Sequence, residues 1–220
     1  MAKRWALSWS GGKDACMVLD QLVKQGEEVV CLMTTLPKET SRTFGHGESK
    51  ELIQAQADAL GIPLEWIPCS FDSYTENFIS ELNSFKRKYE LDGVAFGDLY
   101  LAEHRQWGEN VAKQAALEAI YPLWMKKEEA LLALKNFVES GYRAKIIRVS
   151  NGFLDEKWLG REIDTSFLND IQETGICPMG EAGEYHSYVY SGPLFRYRVP
   201  VKSGEILELE TTKRMELSLQ

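Results

Sequence analysis

Cysteine, histidine, positive charge and long apolar runs are all scarce in this chain of 220 residues. The four cysteines, Cys16, Cys31, Cys69 and Cys177, are far apart and form no C-x-x-C. That spacing argues against a zinc or iron–sulfur site and against a disulfide scaffold; it fits buried thiols in a reducing compartment. The three histidines, His46, His104 and His186, are too widely spaced to suggest a three-histidine metal centre. No apolar run approaches the roughly 18 residues needed to span a bilayer. The N-terminus has no long apolar signal region, so the expectation is a cytoplasmic protein with no membrane partner. Lys and Arg number 25 against 33 Asp and Glu, a net charge of −8. An acidic balance argues against a protein that grips bare nucleic acid, although a local basic pocket stays compatible with it. Low-complexity tracts and repeats are absent, as are the Walker G-x-x-x-x-G-K-[ST] spacing and the dinucleotide G-x-G-x-x-G.

What is present begins at the fifth residue. Trp5-Ala6-Leu7 is a short apolar run that stops at Ser8-Trp9-Ser10-Gly11-Gly12, and a helical pattern opens at Lys13. This reads as strand, glycine loop and helix N-terminus. Such a loop presents backbone N–H groups without helical partners, at the positive end of the helix dipole. Glycines let it approach an anion closely. With Lys13 adding a full charge, the physical reading is a phosphate cradle.

The pattern then alternates. Val29 to Met33, Leu64 to Pro68 and Val94 to Gly97 read as strands, separated by helices after Ser49 and from Tyr74 to Tyr89. Pro37 to Gly47 reads as a loop. A β-α-β-α-β-α-β order predicts a Rossmann-like, doubly wound parallel sheet. With strand order 3-2-1-4, Gly97-Asp98 would face the glycine loop across the crevice where ligands bind. A helix through Trp107 and Leu117 and a short strand over 120–124 follow. A boundary falls near 122–126, giving domains 1–124 and 125–220. The second, a smaller α+β subdomain, should hold an amphipathic helix from Lys127 to Ser140 with Leu131 inward and a strand from Arg143 to Val149. A helix around Leu168 and Ile171 comes next, then strands over 188–190, 195–201, 205–209 and 214–219, with a turn at Lys202-Ser203-Gly204.

Two further stretches carry candidate chemistry. In Gly180-Glu181-Ala182-Gly183-Glu184-Tyr185-His186-Ser187, two glycines free the backbone around two carboxylates and an imidazole. The segment reads either as a loop aiming Glu181, Glu184 and His186 at a substrate amine, or as an acidic connection between strands. Asp98 sits at a strand end, and His104-Arg105 sits at a helix start, where cations oppose the dipole. An anionic ligand would explain that placement; so would a solvated helix start.

Ser10-Gly11-Gly12-Lys13-Asp14 resembles the S-G-G-x-D-[ST] loop of the PP-loop ATP pyrophosphatases, with Ala15 where that pattern has a hydroxyl. Gly97-Asp98 followed by His104-Arg105 resembles the G-D…H-R segment of the diphthine–ammonia ligase family. Gly180 to Ser187 resembles that family's G-E-x-G-E-[FY]-H-T signature, with serine for threonine. The resemblance covers nearly the whole chain and implies an ATP-dependent carbon–nitrogen ligase of the PP-loop (HUP) fold. It implies ATP and Mg2+, an acyl-adenylate, and release of AMP and pyrophosphate as ammonia forms an amide on diphthine. Ser8, Ser10, Gly11, Gly12, Lys13 and Asp14 would hold the nucleotide, with Asp14 placing the metal. Glu181, Glu184, His186, Asp98, His104 and Arg105 would form the catalytic side. Elongation factor two and a second copy of the chain are the candidate partners, besides ATP and ammonium. Amidation of another carboxylate, as in cobalamin salvage, is the alternative; others are a tRNA-modifying PP-loop enzyme and a non-catalytic ATP-binding module.

Overall fold

Strand β1 (Arg4–Ser8) is central because it can be covered on both faces: Trp5, Ala6 and Leu7 are all buried. That double burial is what a parallel sheet requires. In the computed structural model, which describes residues 2–38, 40 and 42–220, β1 is followed by α1 (Lys13–Lys24), β2 (Glu28–Pro37), α2 (Lys50–Leu60), β3 (Leu64–Cys69), α3 (Tyr74–Tyr89), β4 (Gly93–Ala95), α4 (Ala102–Gln114) and β5 (Glu118–Ile120). The five strands pair in parallel in the order β3-β2-β1-β4-β5. The sheet is doubly wound: Leu19 and Leu52 of α1 and α2 pack into one core, Phe78 and Val111 of α3 and α4 into the other. The expected loop over 37–47 includes positions 39 and 41, which lie outside the described residues.

The rest of the chain forms α5 (Ala130–Glu139), β6 (Arg143–Ser150), α6 (Thr165–Gln172), β7 (Tyr185–Ser191), β8 (Val201–Glu208) and β9 (Thr212–Leu219). Its four strands make an antiparallel sheet in the order β7-β6-β9-β8. One continuous core joins this sheet to α1 and α2. The joint is also polar. Tyr188 Oη donates to the Leu52 carbonyl at 2.8 Å, and Val189 N donates to the Gly11 carbonyl at 2.9 Å. Strand β7 therefore lies directly against the glycine loop. No helix among the described residues is long and apolar enough to cross a membrane, and all four cysteines are buried.

Several boundaries differ from the sequence reading, each for a local reason. Strand β2 runs past Met33 to Pro37 because β3 pairs with it from Leu32 through Pro37. Helix α4 stops at Gln114, and Ala116 (φ 51°) turns the chain before Leu117. The strand expected at 120–124 is Glu118–Ile120 instead, in register with β4. A short 3-10 turn, Lys127–Glu129, precedes α5, whose buried face is Ala130, Ala133, Leu134 and Phe137, so Leu131 faces outward. Residues 195–200 are not a strand, since their amides go singly to separate segments: Phe195 N to the Gly192 carbonyl, Arg196 N to Ala59, Val199 N to Tyr190. Lys202 to Gly204 belong to β8, and the hairpin turn comes later, where Leu209 N donates to the Thr212 carbonyl.

Glu48 is a buried carboxyl, 2% exposed, close to Arg214, Arg42 and Glu216. Burial pushes it up to about 8, against the opposing pull of Arg214. A carboxyl raised on folding contributes its full stability below the unfolded value near 4.5 and loses it as pH rises toward 8. Glu48→Gln should therefore gain stability relative to wild type, by roughly 2–4 kcal/mol, between about pH 5 and pH 8. Urea unfolding of the two proteins across that range checks it; a constant difference would place Glu48 in an ordinary environment.

Candidate functional site

The glycine loop leaves β1 and is held before any ligand arrives. Trp9 N donates to the Met33 carbonyl at 2.8 Å, and Thr34 Oγ1 donates to the Trp9 carbonyl at 2.7 Å. Gly11 has φ 80°, and a Cβ there would lie 2.6 Å from Gln56 Oε1. A Cβ on Gly12 would lie 2.7 Å from His46 Cε1. These two positions require glycine, the first for backbone conformation and the second for close approach. Two of the loop's amides are already used by hydroxyls: Gly12 N donates to Ser10 Oγ at 3.2 Å, and Lys13 N to Ser187 Oγ at 3.1 Å. Serine hydroxyls can rotate away, so the amides stay available to a stronger anionic acceptor.

Lys13 is 2% exposed. Its Nζ donates to Asp14 Oδ2 at 3.0 Å and to the Met179 carbonyl, and lies 4.8 Å from the centre of the Tyr185 ring. It thus ties the first turn of α1 to the acidic segment more than 160 residues later. Asp14 Oδ1 is buried and has no hydrogen-bond partner. Burial pushes the Asp14 carboxyl up, with Lys13 pulling the other way.

Across a cleft of about 280 Å³ stand Gly97, Asp98 and His104. The near side holds Ser8, Ser10, Lys13 and Asp14, and the rim carries His46, Gly180, Glu181, Tyr185, His186 and Ser187. Asp98 Oδ1 is 3.1 Å from His104 Nδ1. Glu181 Oε1 accepts from Leu99 N at 2.8 Å, which anchors the acidic segment to the end of β4. One donor atom each from Asp98, His104 and Glu181 falls within 4.8 Å of the others. Burial raises both carboxyls, and Asp14 raises them further. A cation bound between these two carboxyls would relieve their repulsion. The unpartnered Asp14 oxygen and the oxygen-rich surroundings fit a hard divalent cation such as Mg2+.

His46 and His186 pack with ring centroids 4.5 Å apart. His46 Nδ1 lies 3.2 Å from the Ser187 carbonyl, an acceptor, so Nδ1 donates and Nε2 is left as an acceptor. Burial lowers His46 to about 4 and His186 well below its ordinary value, so both rings are neutral at physiological pH.

Two expected site residues are turned away. Arg105 follows His104 by about 100° around α4, and both cannot face the cleft. Its guanidinium stacks 4.8 Å from the Trp124 ring centre, and Nε donates to Glu109 at 2.7 Å. Glu184 is buried, 5% exposed, and accepts from Ala182 N at 2.9 Å and Cys177 N at 3.4 Å. It shapes the segment from within. Tyr185 to Ser187, expected in a loop, are the first residues of β7, because they pair with β6 at Val149, Arg148 and Ile146. No role was expected for His46, Ser187 or Gln56. Gln56 had one legible signal: it is the polar residue within the apolar face of α2.

Residues 3–119 match the diphthamide synthase N-terminal domain, and residues 129–216 match the diphthamide synthase C-terminal domain. The diphthine–ammonia ligase of Mus musculus is 29% identical over 225 residues, covering 89% of this chain and 82% of that protein. The one from Homo sapiens is 28% identical over 227 residues, covering 90% and 82%. A solved U34-tRNA thiolase from Methanococcus maripaludis overlaps 62% of this chain and 57% of its own at 15% identity, with a TM-score of 0.40. The two matched domains together span the glycine loop, the Asp98 wall and the acidic segment, and this chain belongs to the diphthamide synthase family.

Proposed function

We propose that the chain is an ATP-dependent carbon–nitrogen ligase that adenylates a carboxylate and transfers ammonia to it, with diphthine on elongation factor two as the acyl substrate. The observation that carries this reading is the buried Lys13 bridge. One cation joins the phosphate-type loop to the acidic segment, beside an unpartnered Asp14 oxygen.

In this reading Ser10, Gly11, Gly12 and Lys13 hold the phosphates, and Ser8 lines the cleft beside them. Asp98 and Glu181, with Asp14 in the same cleft, would hold Mg2+, which would neutralise charge on the polyphosphate. A carboxylate oxygen of the substrate forms the bond to the α-phosphorus, and the bond to the bridging oxygen breaks, releasing pyrophosphate. Ammonia then adds to the acyl carbon, AMP leaves with the electron pair, and the nitrogen sheds a proton. The neutral rings of His46 and His186 can orient the incoming ammonia by accepting a hydrogen bond, while burial disfavours their carrying its proton. His104 holds Asp98 in place. Burial of the rim keeps water from the acyl-adenylate.

The test is a single-pot assay with Mg-ATP, ¹⁵N-ammonium and elongation factor two carrying diphthine. The expected result is AMP, pyrophosphate and ¹⁵N-amide in equal amounts. ADP as the nucleotide product would overturn the adenylation chemistry. Equal AMP and amide on a different carboxylate, with none on diphthine, would overturn the substrate alone.

A further inference from the structure

A second cavity, of about 530 Å³, shares His186 with the cleft and is lined by Arg42, Arg148, Arg214, Phe44 and Phe71. No Asp or Glu lines it among the described residues, in a chain whose net charge is −8. Arg42 and Arg214 share a single carboxylate, that of Glu216. Arg148 pairs with no carboxylate among the described residues. Its Nε donates to Thr212 Oγ1 at 2.9 Å and its Nη1 to the Gly45 carbonyl, so neutral acceptors fix the guanidinium in place. Glu48 does not balance the excess, since burial keeps its carboxyl protonated up to about 8. Phe71 is 85% exposed and meets Phe44 edge to face at 5.1 Å. An aromatic left this open beside a fixed, unneutralised guanidinium suits an anion carried on an organic group.

The cleft and the cup differ in sign. The cleft has the carboxylates of Asp14, Asp98 and Glu181 around one lysine, and suits a metal-bearing polyphosphate. Among the described residues, the charged side chains that line the cup are all arginines. A substrate carboxylate must approach an anionic nucleotide, and a basic approach offsets that repulsion. His186, neutral and common to both cavities, is where the two anions would meet.

We propose that this arginine cup is the acyl-substrate site, in which Arg148 binds the reacting carboxylate and Phe44 and Phe71 flank the group that bears it. The proposal rests on the ligase reading and adds to it the residues that recognise the acceptor.

The direct test uses benzoate as probe, titrated by ligand-observed NMR against the full chain with Mg2+ and a non-hydrolysable ATP analogue. Wild type should bind benzoate; Arg148→Ala should weaken it by about tenfold or more, and Arg148→Lys by less. Affinity for the ATP analogue should stay within about twofold in both variants, which also shows that they fold. With diphthine-bearing elongation factor two, Arg148→Ala should raise KM for that substrate while KM for ATP holds. Failure of wild type to bind benzoate, equal binding by Arg148→Ala, or a parallel loss of nucleotide affinity would each overturn the proposal. Benzoate bound through Arg148 with no amidation of elongation factor two would leave the cup standing and reject diphthine as its occupant.

Discussion

Replacing Lys13 with methionine should lower kcat/KM for amide formation by roughly 10²–10³-fold or more, the scale seen when one preorganised donor is removed from a transition-state charge. Three effects act together. The cleft loses Lys13, the one Lys or Arg that lines it among the described residues, leaving Asp14, Asp98 and Glu181 to face a polyphosphate. The Met179 carbonyl loses its charged donor, so the acidic segment is no longer tied to α1. Asp14, already pushed up by burial, loses the neighbour that opposes that shift and binds a metal less well. Methionine keeps an unbranched apolar stem of similar length, so the loss is of charge more than of volume. Lys13→Arg should rescue little, because a planar fork does not fit where a 2%-exposed ammonium meets a carbonyl, a carboxylate and a ring face. Calorimetric titration with Mg-ATP and quantification of AMP are the measurements. Unchanged ATP affinity in Lys13→Met would move the phosphate site elsewhere.

The N-terminal half of the fold was legible because its signals are local. Phe78, Leu82 and Phe85 fall on one helical face and are buried, and α3 has the bounds that their spacing predicts. Ser49 accepts the Leu52 amide at 3.3 Å and Gly61 adopts φ 69°, so α2 begins and ends where its capping residues say. The strand order expected for a doubly wound sheet is the one observed. The second half was less legible because its pairings are long-range. Phe195 to Val201 alternates like a strand, yet only Val201 joins one, as the start of β8, and the amides before it scatter to Gly192, Ala59 and Tyr190. Tyr185 to Ser187 follow two glycines and read as loop, but β6 offers them partners. Neither fact is written in the segment concerned.

The site shows the same division. Residue types in the three motifs pointed to the cleft, and Lys13, Asp14, Asp98, His104, Glu181 and His186 do line it. Side-chain direction was not in the motifs. Adjacent residues on a helix diverge, which takes Arg105 onto Trp124 while His104 faces Asp98. Glu184 looked like a second acid of the site, but two amides of its own segment claim it. His46 comes from a loop whose sequence, a histidine between two glycines, gives no hint that it packs against His186. The arginine cup draws on β6, β9 and that loop together, so no stretch of sequence displays it.

Gln56→Leu should cost about 3 kcal/mol of stability and impair catalysis although position 56 touches no ligand. Gln56 is fully buried. Its Oε1 accepts from Trp9 Nε1 at 3.0 Å, and its Nε2 donates to the carbonyls of Gly11 at 2.9 Å and Val189 at 2.6 Å. One amide thus braces the glycine loop against β7. Leucine fills similar space but orphans the Trp9 N–H and the Val189 carbonyl, each worth about 1–3 kcal/mol when buried without a partner. Gly11 keeps the bond from Val189 N, so its carbonyl is only partly stripped. Urea unfolding should show a lower midpoint with an unchanged slope. Gln56→Glu separates lost bonding from lost shape. The acid keeps the Trp9 bond, and when protonated it can still donate to one carbonyl. When ionised it sets a buried carboxylate against two carbonyl oxygens. Its deficit against wild type should therefore grow as pH rises from about 5 to 8, whereas the leucine deficit should stay flat. Equal, pH-independent losses in the two variants would show that Gln56 acts by packing, and the loop brace would have to be sought in Thr34 and Met33 instead.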